Sequence, residues 1–178
     1  PIVHMDLIGT VILPLLFIFV GATTNTVMFF GWAKPVPVTV DNLRRPRIDD
    51  MLIAMAGPLM NLLLAVALVG LAKAGILANS AMLVKVTIQM AYISLGLCFF
   101  NLIPVPPLDG SHLIKNLFRM SYETYARFAQ YGFIIVLVLI NLQPVRRLLT
   151  AVVYGTGYWL QARFHIDQMD LVRMLSVP

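Results

Sequence analysis

Ten residues, Asn101–Gly110, contain three prolines and follow an apolar run from about Met82 to Phe100 that is long enough to cross a membrane. Because each proline lacks an N–H and disfavours helical geometry at the preceding residue, the helix must end here. Irregular backbone at membrane depth is tolerated only where it is buried in protein or lines a wet cavity. The segment places Asp109 before a glycine, and an ionisable residue in such a position predicts a functional site. Residue physics also allows a simple corner, with Asp109 or Ser111 capping the next helix.

The composition extends this interpretation to the whole chain. Sixty per cent of the 178 residues are hydrophobic and 12% are charged, with a mean hydropathy of +0.86. This predicts an all-α polytopic membrane protein, a single domain over residues 1–178 with about four to five transmembrane helices. The net charge of +5 is assigned to loops, and nucleic acid is excluded as a partner because no basic run is interleaved with aromatic residues. The single cysteine, Cys98, excludes an internal disulfide.

Apolar runs place the predicted helices along the chain. In order, the predicted spans are Leu7–Phe30, Met51–Leu71, the run that ends at Phe100, Phe128–Leu142 and Val145–Phe164. The last of these is either a short span or an interfacial helix. Lys73–Lys85 predicts the turn between the second and third spans, and Gly110–Arg127 predicts an amphipathic interfacial helix. Pro144 is expected to end the fourth span.

Two further segments combine polar and helix-breaking residues. Gly31–Val38 contains two prolines, which favour extended backbone, while Trp32 and Lys34 suit a membrane interface. The segment is either an interfacial loop or an extended edge with which a peptide could pair by strand addition. In the second span, Asn61 follows Pro58 and could form a hydrogen bond across a helix interface.

Four phrases of the chain stand in a recognisable order: Pro1-x-x-His4-x-Asp6-x-x-Gly9-Thr10, Gly31-Trp-Ala-Lys-Pro-Val36, Ala56-Gly-Pro-x-x-Asn61 and Asn101-x-x-Pro-x-x-x-Leu-Asp-Gly110. Together they resemble the compact branch of the site-2 protease family, which are intramembrane zinc metalloproteases. The resemblance covers the chain from His4 to about Leu117.

The resemblance implies a role for each phrase. Asp109 is expected as the third protein ligand of one zinc ion, and Asn101 as an active-site residue that holds substrate backbone or the tetrahedral intermediate. The residues expected to present substrate are Trp32, Lys34, Pro35, Val36 and Pro37. Those expected to pack near the site are Gly57, Pro58, Asn61, Pro104 and Gly110. The implied reaction is hydrolysis of a membrane-protein or peptide substrate within the bilayer.

The family's catalytic helix carries His-Glu-x-x-His, and this sequence has no such motif. Its three histidines lie apart, at positions 4, 112 and 165, and its one glutamate is Glu123. Asp109 with His112 would lack a third ligand. The chain is therefore expected to be the C-terminal portion of a longer protease, inactive and without zinc on its own. A small transporter and a non-catalytic scaffold derived from the family remain alternatives.

The distribution of loop charges predicts the orientation. The first and third loops carry seven Lys and Arg residues, against four in the second and fourth. Because positive loops stay on the cytoplasmic side, Asp109 is expected near the cytoplasmic face of a bacterial or archaeal cell membrane. The oligomeric state is left open.

Overall fold

The computed structural model describes residues 45–175, which belong to one compact unit, residues 44–178. The described residues form six helices and contain no strand: α1 Pro46–Leu77, α2 Ala81–Asn101, α3 Gly110–Leu117, α4 Tyr122–Asn141, α5 Gln143–Arg163 and α6 Gln168–Leu175. The predicted first span, Leu7–Phe30, and the predicted extended segment, Gly31–Val38, lie outside these residues.

Three of the six helices are long and apolar enough to cross a membrane, namely α1, α2 and α4. Residues 45–175 are helical as predicted, and these three helices lie where the second, third and fourth spans were predicted. The predicted total of four to five spans is not confirmed, because α5 does not reach that hydropathy and the first span is not described. Polar residues at both ends of α5, among them Arg146 and Arg163, lower its hydropathy.

Helix α1 begins earlier and ends later than predicted. It starts at Pro46, where a proline without N–H suits the first helical turn, and the Asp49 carboxylate accepts a hydrogen bond from the Arg45 N–H at 2.9 Å. The predicted turn Lys73–Lys85 is wrong in extent, since both lysines lie within helices. Only residues 78–80 separate α1 from α2. Three residues suffice because Asn79 adopts a left-handed conformation (φ 50°) that reverses the chain.

The next predicted helix is also wrong in extent. The amphipathic segment Gly110–Arg127 is divided, because α3 ends at Leu117 and Ser121 caps a new helix by accepting a hydrogen bond from the Thr124 N–H. The predicted end of the fourth span before Pro144 is confirmed, since α4 ends at Asn141. Pro144 lies in the first turn of α5, a position that suits a residue without N–H.

The core lies between α1 and α2, which run antiparallel. The Ser94 hydroxyl donates to the Asn61 carbonyl oxygen at 2.7 Å, and Gly75 faces Val84 nearer the turn. Small residues on α1 permit this close approach. The buried core residues are Ala65, Val69, Ala72, Val84, Ile88, Ala91, Leu95, Leu160, Ile166 and Leu171.

Hydrogen bonds of the buried Gln161 side chain join α5 to α2 and to α6. Gln161, which is 2% exposed, donates to the Tyr92 hydroxyl at 3.0 Å and accepts from the Gln168 amide at 2.9 Å. Gly157 lies against the Tyr92 ring, and Lys73 donates to the His165 carbonyl oxygen at 2.7 Å. Polar side chains of α5 therefore pack inward, which hydropathy alone cannot reveal.

Candidate active site

The segment between α2 and α3, residues 102–109, is a series of tight turns. Backbone hydrogen bonds join Val105 N to Ile103 O at 2.8 Å and Leu108 N to Val105 O at 3.0 Å. Pro106 and Leu108 are buried, whereas Pro104 is exposed. The predicted end of the helix is confirmed, and the irregular backbone satisfies part of its own hydrogen bonding. We call residues 102–109 the proline loop.

Gly110 closes the proline loop onto its own start. A Cβ on Gly110 would overlap the carbonyl oxygen of Leu102 and lie 2.7 Å from that of Ile103. Both obstacles are backbone atoms, which cannot move independently of the fold. Glycine is therefore required here by close approach of the chain to itself. The two ends of the loop meet, and they carry Asn101 on one side and Asp109 on the other.

The Asp109 carboxylate faces helix α1. A Cβ built on Gly57 would lie 3.0 Å from its Oδ2 atom, and Gly57 is exposed, so the carboxylate lies beside an open surface. Asp109 precedes α3, yet its side chain forms no capping hydrogen bond. The Ser111 hydroxyl donates to the Leu108 carbonyl oxygen at 2.7 Å. The alternative in which either residue caps α3 is therefore wrong.

The surroundings of Asp109 do not compensate its charge. Its carboxylate is half-buried and forms no hydrogen bond with another residue of the described range 45–175. Burial raises the pKa of the Asp109 carboxyl, and the nearby charge of His112 opposes part of that rise. A cation bound at the free oxygen atoms would remove this cost.

A second carboxylate, Asp50 of α1, lies against α3. It accepts hydrogen bonds from His112 Nδ1 at 3.1 Å, Lys115 Nζ at 3.2 Å and Asn116 Nδ2 at 2.6 Å. The Lys115 ammonium also lies 5.2 Å from the ring centroid of Tyr125 on α4. We call Asp50, His112, Lys115 and Asn116 the α1–α3 cluster. His112 is thus directed at a neighbouring helix.

Helix α4 packs across the proline loop through a glycine. Gly132 touches the carbonyl oxygen of Pro106, and the Tyr125 hydroxyl lies 2.9 Å from the Ser111 hydroxyl. Helix α4 therefore contacts both the loop, at Pro106, and the start of α3, at Ser111.

We expect Gly132→Ala to destabilise the protein by about 1–3 kcal/mol, because the new methyl group would overlap a backbone carbonyl and push α4 outward. The free energy of unfolding in mixed micelles measures this. Gly155→Ala is the matched control, since nothing lies within 4 Å of a Cβ at Gly155. Equal stability of the two variants would contradict the packing of α4 on Pro106.

The other predicted site residues are placed as follows. Pro58 is buried within α1, next to Gly57, whereas Asn101 is half-buried at the end of α2. Asn61 lines an open apolar groove of about 310 Å³ between α1 and α2, and its backbone carbonyl bonds to Ser94. The structure therefore brings Gly57 and Gly110 to Asp109. It shows no contact between Asn61 and Asp109.

Two predicted parts of the site lie outside the described residues. One is the His4–Thr10 stretch. The other is the set of predicted substrate-binding residues, Trp32, Lys34, Pro35, Val36 and Pro37. Within residues 45–175, no group of three or more His, Cys, Asp or Glu side chains could hold a metal ion. Within this part of the chain, the assignment of Asp109 as a metal ligand therefore stays a prediction.

The sequence interpretation missed Asp50 and Asn116. Asp50 stands at the end of a charged segment, where it is indistinguishable from a solvated loop residue. Its partners follow 62–66 residues later. No local pattern links positions so far apart.

Three comparisons relate the chain to known proteins. The sequence profile of Peptidase family M50 matches residues 68–142. The protein named "Putative zinc metalloprotease YwhC" from Bacillus subtilis is 33% identical over 147 residues, which cover 78% of this chain and 62% of that relative. "Putative zinc metalloprotease Rip2" from Mycolicibacterium smegmatis is 31% identical over 104 residues, covering 58% of this chain and 40% of the relative. The chain thus spans less than two thirds of each relative's length. No solved structure matches.

Proposed function

We propose that this chain, whose residues 68–142 match the profile of Peptidase family M50, contributes to an intramembrane zinc endopeptidase of the site-2 protease type in which Asp109 is one ligand of the zinc ion. The family match, the two relatives and the three apolar helices support an integral membrane zinc metalloprotease. The substrate is a membrane-protein segment or peptide, and the bilayer is the surrounding medium.

The carboxylate of Asp109 carries this proposal. It is half-buried at the end of an irregular loop, beside Gly57, without a hydrogen bond from any described residue. A carboxylate oxygen is a ligand that zinc accepts, and a catalytic zinc takes three protein ligands. Asp109 fits one of these positions. The remaining ligands are proposed to come from a His-Glu-x-x-His helix of the full-length protein.

Zinc supplies Lewis acidity, which polarises a peptide carbonyl and lowers the pKa of water. The chain's own residues supply the geometry. Gly57 leaves room for the carboxylate against α1, while Gly110 closes the proline loop and fixes the position of Asp109. Asn101 directly precedes that loop, and its amide can donate to and accept from an extended substrate backbone.

The segment Gly31–Val38 is proposed to hold the substrate in extended form, because a helical peptide bond is shielded by its own hydrogen bonds. We place the active site toward the cytoplasmic side of the cell membrane, from the excess of positive charge in the first and third loops.

Metal removal from the full-length protein tests this function. We expect about one zinc ion per purified protein by elemental analysis, and cleavage of a membrane-spanning reporter peptide in liposomes. Treatment with 1,10-phenanthroline should abolish cleavage and added zinc should restore it. The isomer 1,7-phenanthroline, which does not chelate, is the control.

Two results would overturn the proposal. A full-length protein that holds no zinc and cleaves no reporter would support the scaffold alternative. Solute movement that is insensitive to chelation would support the transporter.

A further inference from the structure

We propose that Asp50 is a positioning residue for Asp109, which it holds against α1 through the hydrogen bonds of the α1–α3 cluster. This inference rests on the proposed function, because the position of Asp109 matters for activity only if that carboxylate binds zinc. Asp50 itself is not proposed to touch the metal or the substrate.

Helix α3 needs outside support to hold its position. It has eight residues, Gly110–Leu117, and a helix of that length is not stable by itself in water. Its first residue directly follows Asp109, so any shift of α3 moves the carboxylate with it. The contacts that fix α3 therefore also fix Asp109.

Asp50 makes the polar contacts between α3 and α1. Its three donors stand at positions 112, 115 and 116, a spacing that puts them on one face of the helix. Asn116 Nδ2 also donates to the His112 carbonyl oxygen at 2.8 Å, which ties the cluster to the backbone of α3. One carboxylate thus restrains α3 in both rotation and translation.

The two contact points lie on the same face of α1. Asp50 and Gly57 are seven residues apart, about two helical turns and about 10 Å along the axis. At one point α3 is bonded to Asp50, and at the other the Asp109 carboxylate faces Gly57. The α1–α3 cluster therefore sets the direction from which Asp109 reaches the surface of α1.

The α1–α3 cluster can hold α3 in place because its charges are paired and largely shielded from solvent. The Asp50 side chain is 19% exposed and that of Lys115 is 22% exposed. Hydrogen bonds to an ionised acceptor are short and directional. Changes in residues that orient a metal ligand cost about 10–100-fold in metal affinity or activity. We therefore expect loss of the Asp50 charge to reduce zinc affinity by a factor in that range.

The test compares Asp50→Asn with Asp49→Asn in the full-length protein. Asp49 is the adjacent carboxylate on α1 and, among residues 45–175, accepts a hydrogen bond only from the Arg45 N–H. The two variants undergo the same chemical change, from carboxylate to amide. Zinc affinity by competition with a chelator should fall about 10–100-fold in Asp50→Asn and stay unchanged in Asp49→Asn. The kcat should fall by a similar factor with little change in KM. Asp50→Glu, which keeps the charge, should recover part of both losses.

Gly57→Ala provides a second, independent readout. Its methyl group would displace the Asp109 carboxylate by a few tenths of an ångström. If Asp50 acts through the position of Asp109, the losses of zinc affinity in Gly57→Ala and Asp50→Asn should be non-additive in the double variant. Gly57→Ala combined with Asp49→Asn should be additive, since those changes share no partner.

If Asp50→Asn fails to accumulate in membranes, Asn116→Leu replaces it, because this change removes the 2.6 Å hydrogen bond and leaves the ion pair in place. A smaller loss of zinc affinity in the same direction is expected. Asp50 and Asn116 variants that bind zinc as tightly as Asp49→Asn would overturn the positioning role.

The same experiment includes Asp109→Asn. If that variant keeps its zinc, the proposed function itself fails, whatever the Asp50 variants do. If it loses zinc while Asp50→Asn behaves like Asp49→Asn, only the positioning inference is wrong.

Discussion

Asp109→Asn in the full-length protein is expected to weaken zinc binding by more than about 100-fold and to leave no detectable cleavage. The estimate is a lower bound, because changes in residues that merely orient a metal ligand already cost about 10–100-fold. Asparagine keeps the size of the side chain but removes the negative charge that holds a divalent cation. Zinc content and cleavage of a membrane-spanning reporter measure the two effects.

In the metal-free protein, Asp109→Asn should not reduce the stability of the fold. Burial raises the pKa of Asp109, so ionisation of this carboxyl at neutral pH lowers the free energy of unfolding. This cost disappears as the pH falls through the folded-state pKa, and it is absent from the neutral amide. Asp109→Asn should therefore leave the unfolding temperature of the apoprotein unchanged or higher.

Asp167→Asn is the matched control for both measurements. Asp167 is exposed between α5 and α6, and its carboxylate accepts the Met169 N–H at 3.1 Å. The Asp167→Asn variant should bind zinc and cleave the reporter as the unchanged protein does. If Asp109→Asn were as active as Asp167→Asn, Asp109 would not be a zinc ligand.

Gly110→Ala is expected to destabilise the protein by about 3 kcal/mol, the upper part of the range for overpacking. The added methyl group would overlap the Leu102 carbonyl oxygen and crowd that of Ile103, which are fixed backbone atoms. The proline loop must then open, which moves Asn101 and Asp109 apart. Zinc binding should fall together with stability, unlike in Asp109→Asn.

Gly96→Ala is the control that distinguishes the close contact at Gly110 from the effect on stability of replacing any glycine by alanine. Nothing lies within 4 Å of a Cβ at Gly96, which is inside α2. There alanine should be neutral or stabilising by up to about 1 kcal/mol, because it favours the helix. Unfolding in mixed micelles compares the variants, and similar values for both glycines would contradict the closed loop.

Several features of the fold could be predicted from local chemistry. The end of α2 follows from the prolines, because each lacks an N–H wherever the rest of the chain lies. The apolar character of α1, α2 and α4 likewise depends only on their own residues. The end of α4 at Asn141 also follows from local chemistry, because Pro144, in the first turn of α5, disfavours a continuous helix before it.

The site was predicted in part. Asp109, Asn101 and Gly110 were singled out by the proline loop and the family resemblance. Gly57 was expected only to pack near the site. The structure shows the contact, a carboxylate oxygen in the space that a Cβ at Gly57 would approach. Asp50 carried no signal, because one aspartate among loop charges looks the same whether solvated or bonded to a helix.

The sequence by itself predicted a helical membrane protein that resembles the site-2 protease family, with a carboxylate at the end of an irregular loop. Only the tertiary structure decided which surface that carboxylate faces and what holds it there. The reason is physical: apolar periodicity and proline chemistry act over a few neighbouring residues. The contacts of Asp50 with α3 and of Asp109 with Gly57 join positions more than fifty residues apart, and they form only when α1 and α3 pack together.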